Sequence, residues 1–273
     1  MKSAIKQRIT SHERIIKAKP QIINKRDYWN SRAQEFSEYA ANTGYPEEFI
    51  KILRPRKSWT VLDMACGGGT IAIPLANKVK SITAVDFSER MIEIVEKRSR
   101  AVGIENIKTI KGQWEDDWNM LGIGVHDVAI ASRSLVGNNT TDLIEKLNRS
   151  ARKAVYITLP VGSGPVDVQL YKAAGRKFKI KKDYINYYFM LYEMGITANV
   201  VFITERHNNH WDSHEDAFQS QRWMFKEMKA KEEDKVRAYL NRNLVRINGY
   251  WRLPYSRKCL WALMWWTKNK ETG

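Results

Sequence analysis

Two aspartates and a run of glycines are the residues best suited to chemistry. The stretch VLDMACGGGT, residues 61–70, is an apolar segment that contains Asp63 and ends in Gly67, Gly68 and Gly69. Glycines in such a turn let a ligand approach the backbone without a Cβ clash. Asp86 ends a second apolar segment. Carboxylates at the ends of apolar strands are costly unless they bind something, so we interpret both as ligand-binding residues.

The residues around the glycine turn distinguish between three kinds of ligand. A phosphate-binding P-loop is excluded because no Gly-Lys-Ser/Thr follows the glycines. Residues 67–72 fit the dinucleotide pattern G-x-G-x-x-A, and Asp86 would serve the ribose of either remaining ligand. Asp63 argues against a dinucleotide, because its carboxylate would repel a pyrophosphate and attract an ammonium group. The amino-acid end of S-adenosylmethionine (SAM) carries such a group.

These motifs resemble the class I SAM-dependent methyltransferases. The resemblance rests on VLDMACGGGT, AVDFSERMIEIVEKR, KGQWEDDW and HDVAIASRSL, in that order, and covers residues 28–160. Ala65 departs from the family pattern, which has a glycine at this position. The resemblance implies an α/β fold, a seven-strand Rossmann-like methyltransferase sandwich with a helical N-terminal cover and helical lid insertions. It also implies SAM as cofactor and S-adenosylhomocysteine as product.

The resemblance further implies roles for individual residues. Asp63 would bind the methionine amino group, Asp86 the ribose hydroxyls, and Phe87 would lie along the adenine. Trp114 and Glu115 would flank the adenine, although Phe87 and Trp114 are also suited to be ordinary core aromatics. The cofactor-binding candidates are Tyr28, Arg32, Asp63, Ala65, Gly67, Gly69, Asp86, Phe87, Met91, Trp114, Glu115 and Ser132.

Alternating strand and helix patterns predict how these residues are positioned. Strand-like and helix-like segments alternate from residue 59 to residue 160, which predicts a parallel sheet with right-handed crossovers. We expect a basic helical cover at 1–45, the SAM-binding Rossmann-like core at 46–160 and a tyrosine-rich helical insertion at 161–196. Residues 197–273 would supply the last strands, at 197–206 and 258–268, separated by an inserted helical segment at about 207–257.

The acceptor is less evident from the sequence than the cofactor. Methyl transfer from SAM is a direct displacement, so a base is needed only where the nucleophile carries a proton. The Asn/Asp-Pro-Pro-aromatic motif of relatives that methylate base amino groups is absent after the fourth strand, and neither Cys66 nor Cys259 fits pyrimidine carbon methylation. We therefore favour an unidentified small-molecule acceptor. The candidates for catalysis are Ser132, Arg133, His207, His210 and Tyr188.

Two further clusters of residues allow more than one interpretation. Tyr184, Tyr187, Tyr188 and Tyr192 recur at helical spacing, a pattern that usually packs as core but would also suit an aromatic wall of the acceptor pocket. Three of the five histidines lie between residues 207 and 214. Since no cysteine joins them, we expect no metal site there and favour one histidine as a base.

The charge of the chain leaves a second class of partner open. The formal net charge is +16, with eight Lys/Arg in residues 1–27 and eight in residues 237–270. Such surface attracts nucleic acid, anionic membrane surfaces or small anionic substrates. The alternatives are therefore an RNA- or tRNA-modifying methyltransferase, and a SAM-binding protein without turnover. No apolar run reaches the ~18 residues of a membrane span, and no signal-peptide pattern is present, so we expect a cytoplasmic protein.

Overall fold

Short runs rich in β-branched residues form the main sheet of the computed structural model. The structure describes residues 25–41, 43–135, 140–180, 183–207, 210–225 and 227–268. Within these ranges the strands are β1 (Thr60–Met64), β2 (Ser81–Asp86), β3 (Ile107–Lys111), β4 (His126–Ser132), β5 (Ala151–Pro160), β6 (Asn199–His207), β7 (Val245–Ile247), β8 (Tyr250–Arg252) and β9 (Arg257–Thr267). The part of the predicted N-terminal cover that precedes Lys25 lies outside the described residues.

The order of the strands explains why the two aspartates meet at one edge. Seven of the described strands form one sheet in the order β3-β2-β1-β4-β5-β9-β6. The first five are parallel, whereas β9 runs antiparallel to both of its neighbours, β5 and β6. The carboxyl ends of β1, β2, β4, β5 and β6 and the start of β9 therefore share one edge. This seven-strand, mostly parallel arrangement confirms the predicted fold class.

Helices cover both faces of this sheet. Within the described residues they are α1 (Lys25–Ala41), α2 (Tyr45–Leu53), α3 (Ala72–Ala76), α4 (Glu89–Ala101), α5 (Thr140–Arg149), α6 (Val168–Ala173), α7 (Tyr184–Glu193), α8 (His214–Gln221) and α9 (Ala230–Asn243), with a short 3-10 helix at Arg222–Met224. Residues of α2, α3 and α4 share one apolar cluster with the sheet, and residues of α5 and α7 share another. Helix α1 lies outside this layer, packed on Met91 and Ile94 of α4.

A third apolar cluster lies apart from the sheet, and we call the segments that build it the cap: α6 with residues 211–255. Its buried members include Leu170, Phe218 and Leu240. The cap segments leave from the ends of β5 and β6 and return at the start of β9. All three points lie at the carboxyl edge, so the cap is attached where β5 and β6 end and β9 begins.

The sequence pattern predicted a helical insertion at about 207–257, before the last strand. The structure shows that this insertion is only partly helical. It contains α8 and α9, but residues 245–252 form the hairpin β7–β8. Asn248 and Gly249 turn this hairpin with φ of 51° and 86°. Asn-Gly between alternating residues is a strong hairpin signal, because both positions of the tight turn need positive φ. No helix among the described residues is long and apolar enough to cross a membrane.

Candidate functional site

The glycine turn after β1 is built from residues in the left-handed region of backbone space. Ala65, Gly67 and Gly69 have φ of 55°, 55° and 79°. The Cys66 amide donates to the carbonyl of Val85 at 2.9 Å, which ties the turn to β2. The Gly69 carbonyl accepts from the amide of Ile73 at 3.0 Å at the start of α3. Ala65 therefore adopts the conformation that usually requires a glycine, which explains the family's preference at this position.

Asp86 holds the turn from the neighbouring strand. Its Oδ2 accepts from the Gly67 amide and its Oδ1 from the Ser88 amide, both at 2.9 Å. The side chain is buried, and burial raises the pKa of this carboxyl group while the amide hydrogen bonds oppose the rise. An ionised carboxylate offers about four acceptor sites, so two remain for other donors.

Asp63 is a buried carboxylate with an unsatisfied oxygen. Asp63 is 2% exposed, and its Oδ2 has no hydrogen-bond partner among the described residues. Burial first, and then the nearby charge of Asp86, raises the pKa of Asp63 to about 7. A buried acceptor without a donor is expensive, and a cationic donor would remove that cost. The unsatisfied acceptor of Asp63 therefore fits the ammonium group of SAM, which would donate to it.

Helix α1 lies directly on the glycine turn. A Cβ built on Gly68 would stand 2.0 Å from Ser37 Oγ and 2.5 Å from Ser37 Cβ, so α1 requires glycine at this position. Ser37 Oγ also donates to Met91 Sδ at 3.6 Å, and Ser88 Oγ donates to Asn30 Oδ1 at 2.6 Å. Three contacts thus dock α1 onto the turn and onto the first residues of α4.

Tyr28 and Arg32 of α1 contact each other, and Arg32 also reaches the cap. Arg32 Nη1 donates to Tyr28 Oη at 3.1 Å. The Arg32 guanidinium also lies 6.0 Å from the ring centre of Trp223, in the 3-10 helix of the cap. Arg32 is therefore at a junction between α1 and the cap, and its role toward a cofactor stays a prediction.

The residues predicted for the adenine occupy different environments. Phe87 is half-buried and Met91 is buried. Trp114 is buried in the apolar cluster beside α5, with its ring centre 5.8 Å from that of Trp118, and Nε1 has no partner among the described residues. Glu115 is exposed on the loop after β3. The packing of Trp114 agrees with the core-aromatic alternative.

A chain of hydroxyl groups lies at the ends of β4 and β5. Tyr45 Oη is hydrogen-bonded to Ser132 Oγ and to Thr158 Oγ1, each at 2.8 Å. Thr158 Oγ1 also accepts from the amide of Arg133 at 2.7 Å, which helps to hold Arg133 at a φ of 58°. Burial raises the pKa of Tyr45, although the charge of Arg133 and the two hydroxyl hydrogen bonds partly oppose it.

The Arg133 side chain belongs to a buried charged cluster on the same edge. Its Nη1 lies 3.6 Å from Glu205 Oε2, and the exposed fractions of the two side chains are 11% and 1%. The guanidinium stands 4.2 Å from the ring centre of Tyr45 and 5.6 Å from that of Trp261. Trp261 Nε1 donates to Glu205 Oε2 at 2.7 Å. The chain thus encloses a cation between two aromatic rings and a carboxylate.

A second arginine lies where β9 meets the cap. Arg257 Nε is buried without a hydrogen-bond partner among the described residues, and Nη1 donates to Met224 Sδ at 3.8 Å. Burial lowers the pKa of Arg257, and the charge of Asp167 opposes this. Asp167 itself is engaged by the amides of Gln169 and Leu170 and by the Tyr255 hydroxyl. Arg257 therefore forms no ion pair within the part of the chain that the structure describes.

Other catalytic candidates lie away from these groups. Tyr188 is half-buried in α7 and packs against the apolar cluster that α5 and α7 form with the sheet. The His210 ring contacts Tyr250 of the cap hairpin with ring centres 5.1 Å apart. The His207 backbone pairs with that of Arg257, and its side chain lies outside the described residues. The described residues contain no group of three His, Cys, Asp or Glu side chains that could hold a metal ion.

Several residues of this edge were not predicted from the sequence: Tyr45, Thr158, Glu205, Arg257 and Trp261. Glu205 had a usable signal, because it interrupts the apolar strand segment NVVFITERH, and a carboxylate at an inward strand position needs a partner. Tyr45 and Thr158 are neutral residues in amphipathic surroundings. Their roles follow only from the pairing of β4 with β5 and the packing of α2.

The strand order and the acid-glycine turn together define a Rossmann-like methyltransferase domain. Residues 61–155 match the family model described as a methyltransferase domain. A candidate methyltransferase structure of Bacillus halodurans C-125 superposes with a TM-score of 0.57 at 14% identity, covering 82% of this chain and 99% of that one. These comparisons support the class I SAM-dependent methyltransferase family that the motifs predicted, and the matched methyltransferase domain implies SAM as the methyl donor.

Two relatives found by sequence differ in how much of the chain they match. An uncharacterized protein of Haemophilus influenzae is 29% identical over 245 residues, which is 89% of each chain. The ubiquinone/menaquinone biosynthesis C-methyltransferase UbiE of Zymomonas mobilis is 36% identical over 63 residues, 23% of this chain and 26% of that protein. The long similarity comes without a known activity, and the similarity to a named enzyme is confined to a short segment.

Proposed function

We propose that this methyltransferase acts on a small anionic molecule bound between the β4–β5 edge and the cap. The observation that carries the proposal is Arg257, whose Nε is buried without a partner among the described residues. Its Nη1 has the weak acceptor Met224 Sδ. A carboxylate or phosphate of the acceptor would supply the missing charge-assisted hydrogen bonds.

The residues around the glycine turn would hold SAM. Asp63 would accept from the ammonium group, since its Oδ2 is a buried acceptor without a donor in the described chain. Asp86 would accept from ribose hydroxyls in addition to its two amide donors. The backbone of Ala65, Gly67 and Gly69 would line the cofactor. Asn30, Phe36 and Ser37 of α1 would close the site from outside.

The chain's own groups would orient the acceptor. SAM supplies an electrophilic methyl group, so the protein must mainly align the nucleophile and exclude water. Ser132 and Tyr45 offer two linked hydroxyls at the end of β4. Because burial raises the pKa of Tyr45, its hydroxyl stays protonated at neutral pH and orients a polar group rather than removing its proton. Arg133 is already neutralised by Glu205, which leaves Arg257 to bind the anion.

The test begins with purified protein from which bound ligand has been stripped. Calorimetric titration with SAM, S-adenosylhomocysteine and NAD should give micromolar binding of the first two and none of the third. Labelled methyl transfer should then be measured against fractions of small metabolites and against total RNA. We expect label in an anionic small-molecule fraction.

Arg257→Gln is the decisive variant. It should raise the KM for the acceptor by roughly 10- to 100-fold, because it removes a hydrogen bond to a charged group worth about 1.5–3 kcal/mol. Binding of S-adenosylhomocysteine should not change. Lys258→Gln, one residue further along the strand and exposed, is the matched control. Label in RNA would instead support the nucleic-acid alternative, and binding without any labelled product would support a protein without turnover.

A further inference from the structure

A basic and aromatic surface at the amino edge of the sheet remains unexplained by methyl transfer. It is formed by the end of α2, the loop that leads into β1 and the loop that leads into β2. We propose that this surface, which we call the amino-edge cleft, binds single-stranded nucleic acid. Binding of a polyanion here would explain part of the net charge of +16, because these cations take no part in the proposed methyl-transfer site.

The charge of the amino-edge cleft is almost entirely unpaired. Its exposed cations are Lys51, Arg54, Arg56, Lys57, Lys78 and Lys80. Lys51 lies 3.9 Å from Glu48, while the other five form no ion pair within the described residues. Lys57 Nζ donates to the carbonyl of Asn77 and so links the two loops. Six exposed cations with Glu48 as the one acid that lines the clefts give the surface an excess of positive charge, which is the usual footprint of phosphate binding.

Aromatic side chains border the same cations. Trp59 and Trp265 are half-buried, and both line the larger of two clefts in this surface. The Arg56 guanidinium lies 6.0 Å from the ring centre of Trp59, and the Trp265 ring stacks on Tyr156 at an interplanar angle of 6°. Flat aromatic surfaces beside cations bind nucleobases by stacking, without preference for sequence.

The shape of the surface favours a single strand over a membrane or a duplex. Two open clefts adjoin here, of about 500 and 650 Å³, and both are lined by Lys51 and Arg54. The smaller is bordered by Lys57 and Lys78, and the larger by the aromatic rings. One cleft thus suits a phosphate and its neighbour suits a base. A paired base would not be free to stack there, and a bilayer is contacted by protruding rather than recessed aromatic rings.

The amino-edge cleft is separate from the methyl-transfer site. It precedes β1, whereas the glycine turn follows this strand. Five strand residues at about 3.3 Å each put roughly 16 Å of sheet between them. A nucleotide in the cleft would therefore not be the methyl acceptor, and the inference stands independently of the proposed small-molecule reaction.

The test is fluorescence anisotropy with the full chain and a labelled single-stranded RNA of about 10 nucleotides of mixed sequence. The variant Arg54→Glu/Arg56→Glu/Lys78→Glu should weaken binding at least tenfold at about 100 mM salt. It should also reduce the slope of log affinity against log salt by about 2, since each phosphate contact to a single strand contributes about 0.7. The control Lys97→Glu/Lys177→Glu/Lys231→Glu changes the net charge equally at exposed positions elsewhere and should bind as the parent does.

A second variant separates stacking from charge. Trp59→Ala should weaken binding of the single strand several-fold more than binding of polyphosphate, while the salt slope stays unchanged. Equal losses in the cleft and control triples, equal binding of duplex and single strand, or tighter binding to vesicles with anionic lipid would overturn the proposal.

Discussion

At the residue scale, Asp63 makes the stability of the free protein depend on pH. Its pKa is about 7 in the folded chain against 3.8 for the ordinary group, so the folded state holds the extra proton between these values. The contribution of Asp63 to the free energy of unfolding is therefore fully present below about pH 4 and is lost as the pH rises toward 7. The loss is on the order of 4 kcal/mol, at about 1.4 kcal/mol per pKa unit. Asp63→Asn should abolish this part of the pH profile in denaturant unfolding.

Binding of SAM should show the opposite dependence on pH. The ammonium group needs the ionised carboxylate, so affinity should rise up to tenfold per pH unit until about pH 7 and then level off. Calorimetry with S-adenosylhomocysteine between pH 5 and 8 would measure it. If parent and Asp63→Asn gave the same profile, Asp63 would not be the ammonium ligand.

Ala65 supplies a second prediction at this scale. Its φ of 55° costs an L-residue roughly 1–2 kcal/mol, and a glycine adopts it freely. Ala65→Gly should therefore stabilise the protein by up to about 1 kcal/mol, after the larger chain entropy of glycine is deducted. Thermal unfolding would show this as a rise in Tm. A fall in Tm would mean that the Ala65 methyl group packs better than the strain costs.

The sequence identified the glycine turn because few residue types can occupy it. Asp63, Gly67 and Asp86 stand at positions where backbone geometry or buried charge allows little choice. Trp114 is different, because a tryptophan after a strand suits both an adenine wall and a core, and it lies in the core cluster. Arg257 gave no signal at all. Its significance arises from the Met224 sulfur opposite it, 33 residues away in the chain.

At the element scale, the contact between α1 and the glycine turn can be tested by a paired substitution. Gly68→Ala would place a methyl group 2.0–2.5 Å from the Ser37 side chain, so α1 must shift. Overpacking of this kind typically costs 1–3 kcal/mol and should also weaken binding of S-adenosylhomocysteine. Ser37→Gly removes both clashing atoms and should restore part of the loss, although glycine costs about 1 kcal/mol within a helix.

A double-mutant cycle over Gly68→Ala and Ser37→Gly should therefore give a favourable coupling. Strictly additive losses would mean that α1 does not rest on the turn in solution. Gly44→Ala provides a comparison, because a Cβ there meets nothing within 4 Å and only its φ of 57° is strained.

Helices and strands were predicted well where a periodic apolar face fixed them. The late strands predicted at 197–206 and 258–268 are found at Asn199–His207 and Arg257–Thr267. The tyrosine pattern did mark a helix, α7, with Tyr187 buried and Tyr192 73% exposed. The hairpin β7–β8 was missed because it is short and exposed, so its residues carry no apolar alternation beyond the Asn-Gly turn.

At the scale of the whole molecule, the cap should open more readily than the sheet beneath it. Its apolar cluster is formed by the helices α6, α8 and α9 and an exposed hairpin outside the main sheet, whereas β1, β4 and β5 lie largely buried within that sheet. Hydrogen exchange should therefore release amides of α8 and α9 at a lower free energy than amides of β4. Such opening would also give a small acceptor access to Arg257.

Phe218→Ala tests most directly whether the cap opens independently of the sheet. Phe218 is 1% exposed and lies in the cap cluster, with the Arg237 guanidinium 3.8 Å from its ring centre, so its loss should cost about 3–5 kcal/mol within the cap. Exchange in α8 and α9 should accelerate, while exchange in β4 and binding of S-adenosylhomocysteine stay as in the parent. The KM for the acceptor should rise, since Met224 and Arg257 meet at the cap's base. Uniform acceleration across the sheet would instead make cap and sheet one cooperative unit, and access to the edge would then require another route.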